Sequence, residues 1–163
     1  MKWIVDLAKP VAERVIQLKP SVLTPDDQSR LATWLALSAV MRDQRAIAHP
    51  QKMQRAALEH LQAAGRAPGN FFIGIGAFLG PKSVADSYNV RLARSTAPPY
   101  DVQSSLHSIA VSMGGLFAVV LAPWNLDPAL IARFPTLYGD TLTQIWPKLD
   151  RNFGWPNYGR KIV

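Results

Sequence analysis

The chain has 163 residues, 48% of them hydrophobic, which fits one compact domain with a hydrophobic core. It contains no cysteine, and this excludes disulfides, thiol nucleophiles and cysteine-based zinc sites. The N-terminal residues lack the apolar run of a signal peptide or a membrane span, so we expect a cytoplasmic protein with no membrane partner. The formal net charge of +7 is typical either of a protein that binds nucleic acid or of an ordinary surface rich in Lys and Arg.

The first residues of the chain carry a helical hydrophobic pattern. Apolar residues follow one another at three- and four-residue steps between Ile4 and Leu18. Residues 2–18 are therefore predicted to have one apolar helical face. Pro10 is expected to mark either a kink or the start of the longer part of this helix.

The clearest predicted element is the segment LTPDDQSRLATWLALSAVMRD, residues 23–43. Thr24 can cap a helix here, Pro25 suits its first position, and the two aspartates that follow complement the positive end of the helix dipole. Apolar residues cover most sides of the segment, so it is predicted to be the central helix of the core. Near its end, Arg42 and Arg45 either complement the helix dipole or bind phosphate.

A third helix is predicted to begin near Pro50 and to end at Gly65, because glycine favours the position after a helix. Beyond it the apolar residues alternate, as they do in strands. Strands are predicted within residues 71–80, 88–94, 103–111, 116–121 and 141–146, with a short helix at residues 127–134. The sequence therefore predicts an α+β fold and a single domain over residues 1–163. A layer of three helices (residues 1–64) packs on one face of an antiparallel sheet within residues 65–163, which end in a C-terminal flap.

The strand region carries further local signals. Gly74 and Gly76 lie on one face of their strand, and the missing side chains predict the close approach of another group. A hairpin turn is predicted at residues 113–115, and the apolar run over residues 116–121 is typical of a strand buried on both faces. The last strand is expected to present Leu142, Gln144 and Trp146 on one face.

The sequence shows no catalytic pattern. The histidines lack metal-site spacing, and the stretch GIGAFLG fails as a phosphate-binding loop at Leu79. Asp101 and His107 are too close in sequence for an ordinary catalytic triad to be inferred. We therefore predict a protein with no enzymatic activity, no catalytic residue, no metal site and no cofactor.

Two Trp-Pro pairs lie near the end of the chain, in the stretch QIWPKLDRNFGWP. Proline cannot donate to a strand ladder, so Pro147 is predicted to end the final strand and to leave Trp146 at the sheet margin. Trp155 is either a lid on the core or a ring on which bases stack. The cations and the tyrosine around it, Arg151, Tyr158, Arg160 and Lys161, suit the second interpretation.

The order of these segments resembles part of a known group of proteins. The chain is similar to the region that follows the zinc module in bacterial and phage HNH-endonuclease-like proteins. The segments that carry the similarity are MKWIVDLAKPV, LTPDDQSRLATWLALSAVMRD, FFIGIGAFLG, SIAVSMGGLFAVVL and a terminal QIWP with a second WP. The matching positions are Trp3, Lys9, Pro10, Leu31, Ala32, Trp34, Ile145, Trp146 and Pro147. The catalytic histidines and the zinc cysteines of that group are absent, so the resemblance implies a related domain without its nuclease.

Two functional hypotheses follow, and the sequence does not decide between them. The first is a nucleic-acid-binding accessory domain related to HNH nucleases. The second is a phage-type inhibitor or adapter whose partner is a protein of a nucleic-acid-processing complex, such as a nucleic-acid-guided defence complex (an anti-CRISPR-like protein). The residues predicted to bind nucleic acid are Arg42, Arg45, Lys52, Arg55, Arg151, Trp155, Tyr158, Arg160 and Lys161.

Overall fold

The computed structural model describes residues 1–45, 55–78, 85–93, 102–124, 126, 133, 142–147 and 151–156. The helices are α1 (Lys2–Ile16), α2 (Pro25–Arg45) and α3 (Arg55–Ala64). The strands are β1 (Ser21–Leu23), β2 (Phe72–Ala77), β3 (Ala85–Ala93), β4 (Val102–Met113), β5 (Leu116–Trp124), β6 (Thr143–Trp146) and β7 (Phe153–Trp155). The fold is α+β, as the sequence predicts. The start of the third helix lies outside the described residues, as does the short helix predicted at residues 127–134 except for residue 133.

α1 is one continuous helix although Pro10 lies inside it. Its buried residues Ile4, Ala8, Val11 and Val15 recur at helical steps, so one face of the helix packs on the core. Helices of this length depend on such packing, which offsets the backbone hydrogen bond that proline removes. No helix in the described ranges is long and apolar enough to cross a membrane.

α2 begins with a reciprocal cap between Thr24 and Asp27. The Thr24 hydroxyl accepts a hydrogen bond from the backbone N–H of Asp27 at 3.2 Å, and the Asp27 carboxylate accepts one from the N–H of Thr24 at 3.3 Å. Two of the N–H groups at this end of the helix thus gain partners. Beyond the cap α2 is buried on most sides, which confirms that it is the central helix.

Five strands form an antiparallel sheet in the order β3-β4-β5-β2-β6. The predicted hairpin is confirmed, because β4 and β5 meet with Met113 opposite Leu116. At the turn Gly114 has a φ of +53°, which glycine adopts without strain. The N–H of Gly115 donates to the backbone carbonyl of Ile16 at 2.7 Å, so the hairpin tip is fastened to the end of α1.

The sheet packs on both faces. On one face Ile73, Ile109 and Val120 join the main core together with buried residues of all three helices. On the other face Val119 and Leu121 join Phe72 in a second cluster, to which the described helices contribute nothing. The middle of β5 is therefore buried on both sides, as its apolar run predicts.

The edge strand β6 differs from the prediction. Trp146 pairs with Ile73 and Gln144 pairs with Gly74, so the register shifts by one residue between these pairs. Because a bulge sets two residues against one, Ile145 and Trp146 both enter the main core. Gln144 and Trp146 consequently lie on opposite faces, and the expectation that they share a face is wrong.

A second, two-stranded sheet is absent from the sequence prediction. β1 pairs antiparallel with β7, and Leu23 lies opposite Phe153. Three-residue strands carry too little alternation to be recognised. This pairing attaches the predicted C-terminal flap to the connection between α1 and α2.

Candidate nucleic-acid interface

The structure separates two of the predicted binding residues. Arg42 is exposed near the C-terminal end of α2. Arg151 is also exposed, and its backbone carbonyl accepts a hydrogen bond at 2.7 Å from the side-chain amide of Gln28, near the start of α2. At about 1.5 Å per residue, Gln28 and Arg42 are about 20 Å apart along the helix. Arg42 and Arg151 therefore lie at opposite ends of the helical layer.

Arg55 is partly neutralised on its own helix. Its Nε lies 2.9 Å from a carboxylate oxygen of Glu59, one turn along α3. Arg45 is the last residue of α2, and its side chain is outside the described part of the chain. Four further predicted binding residues also lie outside the described ranges: Lys52, Tyr158, Arg160 and Lys161.

Trp155 is a core residue. Its side chain is 2% exposed, and its indole N–H donates to the backbone carbonyl of Val15 at 3.2 Å. An enclosed ring has no free face for a base, so the prediction of Trp155 as a stacking residue is corrected by its burial. The alternative interpretation, a lid on the core, fits the structure.

Trp146 lies where the sequence predicts it, at the margin of the sheet. It ends the edge strand β6, is buried in the main core, and donates its indole N–H to the backbone carbonyl of Pro68 at 2.7 Å. The peptide bonds that join Trp146 and Trp155 to the prolines after them are both cis. Trp146 is 8% exposed and Trp155 2% exposed, and this burial leaves neither ring available to a ligand.

The carboxylates of the helical layer are mostly paired with nearby cations. Glu13 lies 3.9 Å from Lys9, and Asp26 lies 2.9 Å from Arg30, each within its own helix. Between helices, a guanidinium nitrogen of Arg14 lies 3.1 Å from Asp27. Five exposed cations form no ion pair with any residue in the described ranges: Lys2, Lys19, Arg42, Arg66 and Arg151. These five are called the unpaired cations below.

Trp3 is an exposed aromatic residue of the described ranges that the sequence-based site prediction omits. Its side chain is 45% exposed at the start of α1. It lies beside the buried stripe that contains Ile4, Ala8 and Val11 rather than within it. That displacement from the stripe is readable in the sequence, and it is the signal that separates this tryptophan from the core tryptophans.

His107 is a buried residue of the sheet. It is buried on the helix-facing side of β4, with its Nδ1 3.7 Å from a carboxylate oxygen of Asp43 on α2. Asp101, the acid considered from the sequence, lies outside the described residues. In the described ranges no group of three or more His, Cys, Asp or Glu residues could hold a metal ion. The Asp43–His107 contact joins α2 to the sheet inside the core.

No protein-family model matches this chain, and neither a curated protein nor a solved structure shows significant similarity to it.

Proposed function

We propose that this chain is a nucleic-acid-binding module with no catalytic activity of its own. The observation that carries the proposal is the set of unpaired cations on a protein of net charge +7. Cations that no neighbouring carboxylate neutralises attract phosphates over a distance and release counterions when they contact them. The resemblance to the region after the zinc module of HNH-endonuclease-like proteins supports the same class of partner.

The positions of the cations suit a polyanion more than a small anion. Arg42 and Arg151 lie at opposite ends of α2, about 20 Å apart along its axis. Phosphates on one strand of a duplex are about 3.4 Å apart along its axis, so about six of them span this distance. A nucleic-acid strand along the helical layer would reach both ends, whereas a single phosphate group would reach only one.

The dependence of affinity on salt tests the proposal. We expect the logarithm of the binding constant to fall linearly with the logarithm of salt concentration. Replacing Arg42 or Arg151 by Ala should reduce that slope by about 0.7 for a single strand or about 0.9 for a duplex. Arg30→Ala is the matched control, because Arg30 is already paired with Asp26 at 2.9 Å. Absence of binding at physiological salt, or a slope that neither variant changes, contradicts the proposal.

The absence of catalysis is tested separately. The purified chain, supplied with magnesium, manganese or zinc, is expected to leave labelled DNA and RNA uncut. The buried position of His107 against Asp43 supports this expectation, because water and a metal need access to a general base. Cleavage that depends on a metal and is lost in His107→Ala would overturn it.

A protein partner is the second candidate, and exposed apolar side chains favour it. Val5, Leu7 and Val22 are about half exposed, although each is large and apolar. An inhibitor or adapter of a nucleic-acid-guided defence complex would use such residues for contact. The test is a cleavage assay of that complex with this chain added. Inhibition that is lost in Leu7→Asp or Val22→Asp supports the second candidate, and unchanged cleavage opposes it.

A further inference from the structure

We infer that Trp3 is the stacking platform of the proposed interface. A base of single-stranded DNA or RNA would stack on the Trp3 ring while Lys2, Arg66 and Arg42 contact the adjoining phosphates. This inference rests on the proposed function and deepens it. It assigns the stacking role, which the burial of Trp155 leaves open, to a residue at the other end of the chain.

The Trp3 ring is held in place and still open to a ligand. The tip of the ring lies over Gly65, where an added Cβ would overlap Cη2 and would lie 3.2 Å from Cζ3. Gly65 follows α3 with a φ of +63°, so the helix end and the ring both require glycine at this position. Trp3 as a residue is 45% exposed, so it remains accessible from solvent. A ring positioned in advance loses little freedom when a base stacks on it.

Two exposed cations are neighbours of Trp3 and Gly65 in the chain. Lys2 precedes Trp3 in α1, and Arg66 follows Gly65, which the ring touches; both side chains are exposed and unpaired among the described residues. Exposed aromatic and cationic side chains placed together are the arrangement by which proteins bind single strands.

Arg42 continues the line of cations along α2. The N–H of Ala67, the residue after Arg66, donates to the Thr33 hydroxyl at 3.2 Å, so this part of the chain lies beside the middle of α2. Arg42 is exposed further along the same helix, about 14 Å beyond Thr33. That distance corresponds to about four phosphate spacings of a nucleic-acid strand.

Leu7 and Asp6, each about one turn from Trp3, serve as controls for the stacking role. Leu7 is 50% exposed one turn from Trp3, so a protein partner that covers this face would contact both residues. A nucleotide base needs the aromatic ring and gains nothing specific from leucine. Asp6 is exposed one turn from Trp3 as well, and its charge opposes a phosphate at this position. At a nucleic-acid site, the affinity for nucleic acid should be insensitive to the loss of the Leu7 side chain and should rise when the Asp6 charge is removed.

The experiment measures binding of the whole chain to a labelled oligothymidylate, an oligouridylate and a mixed-sequence duplex. Trp3→Ala is expected to weaken single-strand binding about 5- to 150-fold and to leave duplex binding within about twofold. Trp3→Phe should restore most of the affinity, Leu7→Ala should change nothing, and Asp6→Asn should strengthen binding. Tighter binding of a single-stranded oligonucleotide than of the duplex supports the inference. The oligonucleotide that binds more tightly of the two identifies the polymer as DNA or RNA.

Tryptophan fluorescence gives a readout that a purely structural role of Trp3 would not change. Saturation with the oligothymidylate should quench the wild-type emission and quench that of Trp3→Phe much less. If the wild type binds but Trp3→Ala binds equally well, the inference is overturned and the proposed function stands. Equal losses in Trp3→Ala and Leu7→Ala also overturn it, because they would show that the aromatic ring contributes nothing that leucine does not. If the wild type binds no nucleic acid, the proposed function fails and this inference fails with it.

Discussion

The indole N–H of Trp155 donates a hydrogen bond to the backbone carbonyl of Val15, with 3.2 Å between nitrogen and oxygen. Val15 lies in the last turn of α1, and Trp155 ends the last described strand. The contact therefore closes the fold by joining its first helix to the C-terminal part of the chain. It also explains why β7 pairs with β1, the short strand that follows α1.

Trp155 is accordingly expected to contribute strongly to the free energy of unfolding. Trp155→Ala is expected to lower the free energy of unfolding by about 3–5 kcal/mol, because it removes a buried aromatic ring. Trp155→Phe keeps much of the apolar volume and loses the hydrogen bond. It should cost about 0.5–1.5 kcal/mol, because the Val15 carbonyl still accepts a bond from the N–H of Leu18. Denaturant unfolding measures both. Unchanged stability in Trp155→Ala would show that the ring is outside the core.

Trp146 gives a parallel prediction at the sheet margin. Trp146→Ala is expected to destabilise the fold by about 3–5 kcal/mol whatever the partner, because the ring packs in the main core. In Trp146→Phe the backbone carbonyl of Pro68 loses the hydrogen bond of 2.7 Å that it accepts from the indole. The loss of this hydrogen bond is expected to lower the free energy of unfolding of Trp146→Phe by about 1 kcal/mol. A Trp146→Ala variant that unfolds at the wild-type denaturant concentration contradicts the prediction.

Local sequence signals were sufficient for most of the fold. The cap at Thr24, the apolar coverage of α2 and the glycine turn of the β4–β5 hairpin depend on neighbouring residues, so each is readable in a short window. The bulge in β6 and the pairing of β1 with β7 depend on residues far apart in the chain. Their register is set by packing against residues that are distant in the sequence, so a local pattern does not predict it.

The hairpin tip gives a prediction with an internal control. A Cβ at Gly114 would lie 2.8 Å from the backbone oxygen of Ile16, and φ is +53° there. Gly114→Ala should therefore destabilise the fold by about 1–3 kcal/mol through crowding and backbone strain. Gly69→Ala is the control, because nothing lies within 4 Å of a Cβ at that position. Thermal melts of the two variants are compared. A Gly114→Ala melt as high as that of Gly69→Ala would show that the tip does not contact α1.

The start of α2 offers a matched pair of aspartates. Asp27 accepts a hydrogen bond from the Thr24 N–H at 3.3 Å and lies 3.1 Å from Arg14, whereas Asp26 contacts only the exposed Arg30 among the described residues. Asp27→Ala is expected to cost about 1–2 kcal/mol, and Asp26→Ala less than about 0.5 kcal/mol. Added salt should weaken the Asp26–Arg30 contribution first, because that pair is the more exposed. Equal effects in urea unfolding would contradict the assignment of the cap to Asp27.

The candidate site was harder to predict than the fold. Exposed arginines such as Arg42 follow from the charge pattern, but a sequence does not show which carboxylates neutralise which cations. The helical pattern places Trp3 beside the apolar stripe, but the burial of Trp155 depends on tertiary packing. The neighbours of Trp155 suggest a ligand although the ring is buried, while Trp3 lies in an apolar helix and is exposed. Only the packing of Trp3 against Gly65 indicates that its ring is held in place.

The buried contact between Asp43 and His107 should couple the two residues energetically. Asp43 is 0% exposed, and its carboxylate oxygen lies 3.7 Å from Nδ1 of His107. Breaking a buried polar contact is destabilising, so Asp43→Ala is expected to cost about 0.5–3 kcal/mol. In a double-mutant cycle, Asp43→Ala combined with His107→Leu should cost less than the sum of the single variants, by about 0.5–3 kcal/mol. Additive losses would show that the contact contributes no coupling. Nucleic-acid affinity, measured where each variant is fully folded, should remain at the wild-type value, because a pair enclosed between α2 and β4 supports the fold and does not reach a ligand.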